Sequence, residues 1–322
     1  MASLREIKDR IGSVRSTLKI TSAMKLVASA KLRKAQKAIE GMRPYERTLA
    51  EILAAVGPTG MPSSRRPSSL SAVAETGFGA TNPAAAEPST EGIPAGKTAV
   101  VAIASNSSLC GGFNANVTRL ALETIRACEG DVEVYPVGRK IAESLKRAGY
   151  SAAADCNDLI GHPAYEKSAA LARSLAERFA AGELGRVVLV YNRFRSASSQ
   201  EPVAEEYLPF GGEILRCAQD DKRGGAPVIL SESEGSSSAD DYILEPDAEA
   251  LVAQLLPQVM MLKFHAAILD SAAAEQAART LAMQTATDNA EDLLGELTLE
   301  YNKGRQQKIT AEILDLLGGA AE

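Results

Sequence analysis

The sequence from Ile7 to Val56 reads IKDRIGSVRSTLKITSAMKLVASAKLRKAQKAIEGMRPYERTLAEILAAV, with apolar residues recurring at alternating steps of four and three. Among the positions of this repeat only Thr21, Lys25 and Glu46 are polar. A sustained seven-residue repeat is typical of a helix that packs along a second helix as a coiled coil. The stretch therefore predicts a long helix with a helical partner. A kink or break is expected at Pro44, because a proline ring clashes with the preceding helical turn.

The C-terminal part of the chain repeats this pattern from Leu262 to Tyr301, after which the apolar stripe drifts. Two terminal helices with matching repeats pair most simply with each other, in antiparallel orientation. The second helix is expected to begin after residues 245–247, to kink or restart at Pro257, and to end at Gly318-Gly319. Both repeats are rich in Ala, Thr and Gln, so we expect part of the paired surface to face something besides the partner helix.

Residues 97–210 alternate between short apolar runs and amphipathic segments, which predicts an α/β domain with a mainly parallel, doubly wound sheet. Residues 200–209 are a candidate added edge strand. Two stretches rich in small and polar residues, 57–96 and 211–241, are predicted as flexible insertions. The chain then divides into an N-terminal coiled-coil helix at 1–56, the α/β domain, and a C-terminal coiled-coil helix at 242–322, with the insertions between them.

The composition excludes several classes of protein. The chain has 322 residues, a net charge of -6, 4% aromatic residues and no tryptophan, so Ala, Leu and Met must supply much of the packing. Its four cysteines and two histidines show no spacing typical of a zinc site or a disulfide framework. No run reaches the ~18 uncharged apolar residues of a membrane span, and the N-terminus lacks the apolar region of a signal peptide.

Residues 1–56 contain twelve basic and five acidic residues, although the whole chain is acidic. A basic arm on an acidic body suggests an anionic partner, either nucleic acid or an acidic protein surface, and a solvated helix face remains the simpler interpretation. Against nucleic acid, Tyr45 is the only aromatic residue of the arm, and proteins that bind single strands stack successive bases on several such side chains.

The turn Ser108-Leu109-Cys110-Gly111-Gly112 lies between a strand and a helix, where phosphate-binding loops occur. Neither G-x-G-x-x-G nor the Walker lysine pattern is present, so the turn is interpreted as structural, with an anion site as the lesser alternative. Cys110 has no histidine partner nearby in sequence and is expected to be a small buried residue, and the strand ends offer no paired nucleophile and base. An α/β enzyme is therefore disfavoured.

Several short sequence motifs occur in a characteristic order along the chain. They are ITSAMKLVA (20–28), KLRK (31–34), RPY (43–45), LCGG (109–112), EQAAR (275–279), ATDNA (286–290), YNK (301–303) and RQ (305–306). Together they resemble the gamma chains of F-type ATP synthases over nearly the whole length. The chain departs from the family at Asn106-Ser107-Ser108, where an acidic and a basic residue are usual, in the two insertions, and at Pro257.

The resemblance implies a central-stalk rotor subunit without catalytic residues, cofactor or metal. A coiled-coil shaft would enter a head of alpha and beta chains, and a Rossmann-like foot would meet the epsilon chain and the membrane c-ring. The subunit would couple proton-driven rotation of the ring to ATP synthesis or hydrolysis at the beta chains. It would be peripheral to the cytoplasmic face of a bacterial plasma membrane, without inserting into the bilayer.

By similarity, the contacts that couple the shaft to the beta chains are expected at Met24, Lys25, Arg33, Arg279, Gln306 and Thr310. Contacts of the foot with the epsilon chain or ring are expected at Tyr242 and Glu245. Each of these residues can also be read as an ordinary surface or coiled-coil residue. The alternative function is a basic coiled-coil protein that binds nucleic acid and carries an α/β regulatory domain.

Overall fold

The computed structural model describes residues 4–56, 97–209 apart from 129, 155 and 162, and 248–319. The insertions predicted at 57–96 and 211–241 lie outside the described residues. The described residues form the helices and strands α1 (Leu4–Val56), β1 (Lys97–Ile103), α2 (Phe113–Ala127), β2 (Val132–Val137), α3 (Arg139–Arg147), α4 (Asp158–Gly161), α5 (Tyr165–Ala180), β3 (Leu184–Phe194), β4 (Gln200–Leu208) and α6 (Ala248–Gly319). The α/β fold class predicted from the sequence is confirmed.

The two terminal helices pair in antiparallel orientation, as predicted. Near one end Leu4 lies against Gly304, where an added Cβ would be 3.0 Å from the Leu4 Cδ2 atom. In the middle, the Thr287 hydroxyl donates a hydrogen bond to the Thr21 oxygen at 3.1 Å. At the other end Leu49 packs with Leu262 in a buried apolar cluster. We call this pair of helices the shaft.

Burial along the shaft follows the predicted repeat. The deeply buried positions of the repeat in α1 are Ile7, Thr21, Ala28, Leu32, Ile39, Leu49 and Leu53. Those in α6 are Leu262, Leu269, Ala273, Met283, Thr287, Ala290 and Leu297. Each fully buried Leu or Ile contributes about 1.5–3 kcal/mol, whereas an alanine contributes much less but allows the backbones to approach closely.

Neither helix breaks at its internal proline. α1 continues through Pro44 and α6 continues through Pro257, so the break and the restart that the sequence allowed are wrong, and a kink at either proline stays a prediction. Both prolines are exposed, and solvent can satisfy the carbonyl that each leaves without its usual helical donor. Packing of Leu53 against Val259 holds the two helices together near this end of the shaft.

The sheet has the strand order β2-β1-β3-β4. β1 pairs in parallel with β2 and β3, and β4 joins β3 in antiparallel orientation. β1 is buried at every position after Lys97, as expected for a central parallel strand covered on both faces. β4 alternates between exposed and covered positions and carries Pro202, which suits an edge strand.

Helices cover both faces of the sheet, which makes it doubly wound. One face packs on α4, α5 and α6, with Ile103, Leu189 and Phe264 in its core. The other packs on α2, α3 and a later part of α6, with Val100, Val117 and Ala278. α6 thus belongs to both cores as well as to the shaft, and it joins the sheet domain to the coiled coil.

One helix in the described part of the chain, Ala250–Leu314 within α6, is long and apolar enough to pass for a membrane span by length and composition. Of the most apolar 18-residue stretch of this helix, 41% is buried inside the protein. Because α6 packs on α1 and on both faces of the sheet, this apolar character is weak evidence for a span.

Candidate functional site

Met24 and Lys25 lie together on the shaft, where α1 faces α6. Both side chains are half-buried. The hydrogen bond between Thr21 and Thr287 fixes a register that places Lys25 opposite the buried Met283. Lys25 therefore occupies a seam position, and its long stem can cover apolar surface while the ammonium group reaches water.

The other coupling residues predicted on the surface of the shaft are spread along it. Arg33 is exposed on α1, and Gln306 and Thr310 are exposed on α6. Gly304 lies beside Leu4, the first described residue of α1. Gln306 is about 35 Å along α6 from the level of Lys25 at the usual helical rise. The structure therefore separates this end of α6 from Met24 and Lys25.

Arg279 lies inside the protein, at 9% exposure. Its Nη2 atom donates hydrogen bonds to the Glu275 Oε1 atom at 2.8 Å and to the Ser107 Oγ atom at 2.8 Å. The guanidinium group thus faces the sheet domain. A direct contact between Arg279 and a partner chain stays a prediction, and the geometry gives this residue an internal role.

Glu275 is the buried partner of Arg279. Burial raises the pKa of its carboxyl, while Arg279 and, more weakly, Lys31 oppose the rise. A buried carboxylate needs its cation, because breaking such a pair leaves an uncompensated charge. Glu275 and Arg279 are four residues apart in the EQAAR motif, which is a usual spacing for a helical ion pair. This spacing could have identified the ion pair from the sequence.

A second polar group lies where α1, α6 and β3 meet. Burial raises the pKa of Asp270 to about 6, against the effect of Arg43 and Arg193. The Arg43 Nη2 atom is 3.8 Å from the Asp270 Oδ1 atom. Nearby, burial raises the pKa of Tyr191 to about 12. Asp270, Arg43 and Arg193 thus place ionisable groups at the junction of shaft and sheet domain, and burial favours the neutral form of Tyr191.

Ser168 and His265 connect α5 with α6. The Ser168 Oγ atom is 2.8 Å from the His265 Nδ1 atom, and the imidazole ring meets the ring of Tyr165 edge-on. Burial lowers the pKa of His265. Since Ser168 is 1% exposed, the pair is a packed interhelical contact without access for a substrate.

The turn before α2 is tight, as its sequence indicated. Leu109 and Gly111 adopt positive φ angles of 66° and 57°, and the Phe113 N–H donates to the Cys110 carbonyl at 3.3 Å. Cys110 is buried at 2% exposure. Ligands of doubly wound folds bind where the strand order reverses, which here is between the carboxyl ends of β1 and β3. α6 lies against this place, with Ala282 next to Gly111.

A groove of about 490 Å³ remains between α6 and the tip of the sheet domain. Its lining is apolar or uncharged, and includes Phe113, Asn116, Asn192, Gln200, Leu281, Thr285 and Asn289. Among the described residues, no lysine or arginine lines the groove, so this part of the chain does not supply it with the cations that usually hold nucleotide phosphates.

We therefore expect the isolated chain neither to bind nor to hydrolyse Mg-ATP. Gly111 and Gly112 form a turn against α6, and no phosphate-binding lysine accompanies them. Calorimetric titration of the purified chain with Mg-ATP should give no heat of binding at micromolar concentrations. A saturable signal in that range would contradict this expectation.

The predicted foot contacts, Tyr242 and Glu245, lie outside the described residues. The sequence marked Asn106 and Ser107 only as departures from the resembled family and assigned them no contact. The Asn106 Oδ1 atom accepts a hydrogen bond from the Arg139 N–H at 2.9 Å, and its Nδ2 atom donates to the Asn157 carbonyl at 3.0 Å. The chain thus uses Asn106, at a position where it departs from the resembled family, to join three loops.

Comparison with known proteins gives a consistent result. A family model described as ATP synthase matches residues 3–321. ATP synthase gamma chains of Bacteroides fragilis and Flavobacterium johnsoniae are 44% and 38% identical, each over 99% of this chain and over 99% and 98% of the relative.

Among solved structures, the Euglena gracilis mitochondrial ATP synthase, in its OSCP/F1/c-ring part, contains a similar chain. The TM-score is 0.57 at 19% identity, and the match covers 99% of this chain and 93% of that one. At this identity the likeness shows the fold. The sequence relatives and the family match together show that this chain belongs to the gamma chain family of ATP synthases.

Proposed function

We propose that this chain rotates as the central stalk of a bacterial F-type ATP synthase and couples proton-driven rotation to ATP synthesis or hydrolysis. The observation that carries the proposal is the family match over residues 3–321, which includes both shaft helices and the sheet domain. Gamma chains are non-catalytic stalk subunits, so the role requires shape and surface and no bond-making residue.

The shaft would act by presenting different faces to the surrounding beta chains. α1 carries an excess of basic residues, whereas α6 has Asp288 and Glu291 exposed on its surface. A rotor shifts the equilibrium between open and closed beta chains only if each face binds the two forms unequally. The charge difference between the two helices supplies such an asymmetry.

The contacts between the shaft and each beta chain must form and break once in each rotation. Exposed ion pairs contribute only about 0–1 kcal/mol each, so Arg33 and Lys25 can grip acidic loops of the beta chains without locking them. Gln306 and Thr310 follow Gly304, which lies beside Leu4, and they would contact the head at a second level. We keep Met24, Lys25, Arg33, Gln306 and Thr310 as proposed contacts with the beta chains.

The sheet domain is proposed as the foot, which contacts the epsilon chain and the membrane c-ring on the cytoplasmic face. The solved relative that includes a c-ring supports this arrangement. Tyr242 and Glu245 remain the proposed foot contacts, by similarity alone. The chain would be peripheral to the inner membrane. The alternative of a nucleic-acid-binding coiled coil is not supported, because the family match extends along the whole chain.

Replacing Met24 with glutamate tests the proposal. The new carboxylate would face acidic loops of the beta chains, and a surface pair of like charges costs about 0.5–1 kcal/mol, a two- to fivefold change in the population of the contact. Glutamate is as good a helix former as methionine, so assembly should persist. ATP hydrolysis and ATP-driven proton pumping are measured in the same membranes, and pumping per ATP should fall more than hydrolysis.

The matched control is Ala38→Glu, which adds the same charge at an exposed position of α1 nearer the foot. It should leave pumping per ATP unchanged. Small and equal losses of pumping and hydrolysis in the Met24 variant would place this segment away from the coupling contact. Complete failure to assemble would place Met24 in the packed seam.

A further inference from the structure

The apolar contact between the sheet domain and α6 ends at a definite level. On one face of the sheet it includes Met260, Phe264 and Ile268, and on the other face it ends with Ala274 and Ala278. Beyond Ala278 the groove lies between α6 and the tip of the sheet domain, with Gly111 still next to Ala282. Arg279 follows Ala278, and it lies where the continuous apolar contact gives way to the groove.

Arg279 bridges this boundary with directed bonds. Its guanidinium is held on the α6 side by Glu275 at 2.8 Å and reaches Ser107 of the sheet domain at 2.8 Å. With its side chain only 11% exposed, the guanidinium is mostly shielded from water. A hydrogen bond to a charged group contributes more than one between neutral groups, so the bond from Arg279 to the exposed Ser107 is stronger than a neutral hydrogen bond at this place.

The loop that carries Ser107 is itself firmly held. The Ser107 carbonyl accepts a hydrogen bond from the Asn114 Nδ2 atom at 3.3 Å, and the Ser105 N–H donates to the Asn114 Oδ1 atom at 3.1 Å. Asn106 ties the same loop to the beginning of α3. A displacement of Arg279 is therefore transmitted to β1, α2 and α3 rather than absorbed by a soft loop.

We propose that Arg279 and Ser107 attach the sheet domain to the shaft at the end of their contact next to the groove, which we call the upper joint. Arg279 is the positioning residue that sets the orientation of the sheet domain relative to the shaft. The proposal rests on the proposed rotor function. The lower attachment, at Met260, is about 28 Å away along α6. Because the apolar contacts run from Met260 to Ala278, the Arg279–Ser107 bond lies at their upper end, where a directed contact resists tilting of the sheet domain about the shaft with the longest lever arm.

The experiment uses the complete complex in membranes, with Ser107→Ala, the conservative Ser107→Thr, and Ser108→Ala as the matched control. Ser108 is an exposed neighbour in the same loop. Amide hydrogen exchange of residues 105–112 should rise about tenfold in Ser107→Ala, the effect of losing one hydrogen bond to a charged group. Pumping per ATP should fall while ATP hydrolysis is unchanged. Ser107→Thr keeps a hydroxyl and should restore both readouts.

Unchanged exchange in Ser107→Ala, or an equal rise in Ser108→Ala, would overturn the joint. Equal losses of hydrolysis and pumping, or loss of assembly in Ser107→Ala alone, would also overturn it, because they indicate a folding role. Failure of the rotor function itself has a different signature, since the unsubstituted complex would then show no pumping linked to ATP while the exchange result would still report on the joint.

Discussion

Replacing Gly138 with alanine should prevent the sheet domain from reaching its native packing. Gly138 joins β2 to α3 with φ at 113°, a conformation that L residues adopt at a cost of about 1–3 kcal/mol. An added Cβ would also overlap the carbonyl oxygen of Ala104 and lie 2.9 Å from its carbonyl carbon. This oxygen belongs to backbone at the end of β1, which cannot rotate away as a side chain can.

The expected loss for Gly138→Ala is therefore more than about 3 kcal/mol of the free energy of unfolding. Urea unfolding of the full chain and recovery of the assembled complex measure it. Gly149→Ala is the control, because Gly149 has φ at 92° and nothing within 4 Å of an added Cβ. The Gly149→Ala variant therefore measures the cost of the positive φ angle without a steric overlap. Equal effects of the two substitutions would show that the close approach at Ala104 is relieved cheaply.

The repeat in the terminal helices predicted the shaft because it is a local signal. Burial of Leu32 and Leu269, and of Thr21 against Thr287, follows directly from the alternating steps of four and three. The alternation of strands and helices in 97–210 predicted a parallel sheet for the same reason. The short α4 was missed, since the four residues Asp158–Gly161 are too few to show a helical period.

The position of Arg279 could not be predicted in this way. The sequence places Arg279 on α6, in a motif shared with a family of rotor subunits, which suggests a surface contact with a beta chain. Its partner Ser107 is 172 residues away in the chain, and burial of the guanidinium depends on how the whole sheet domain packs on α6. Local patterns report the face of a helix, but they do not report which distant loop covers that face.

At the two internal prolines, the sequence analysis relied too strongly on a local rule. The expectation of a kink or break at Pro44, and of a kink or restart at Pro257, applies the local cost of about 3 kcal/mol for proline in a helix. Burial of Leu49, Leu53 and Val259 around the paired helices offsets a cost of this size. Tertiary packing therefore overrides the local preference at both positions, while the exposed side of each helix accommodates the ring.

Replacing Phe264 with alanine should loosen the lower attachment of the sheet domain to the shaft. Phe264 is fully buried, and its ring meets that of Tyr207 edge-on, with centroids 5.7 Å apart. The Tyr207 hydroxyl donates to the Met260 carbonyl at 2.9 Å, so the two contacts fix the end of β4 on α6. Truncation of a buried phenylalanine costs about 3–5 kcal/mol, including the cavity that it leaves.

Urea unfolding of the full chain measures this loss, and Leu299→Ala on the same helix is the control. Leu299 is 73% exposed, so its truncation should change the free energy of unfolding by less than about 0.5 kcal/mol. In the assembled complex, pumping per ATP should fall further in Phe264→Ala than in Phe264→Leu, because leucine retains most of the buried volume. Normal pumping by a destabilised Phe264→Ala complex would show that torque passes from the foot to the shaft through contacts other than this one.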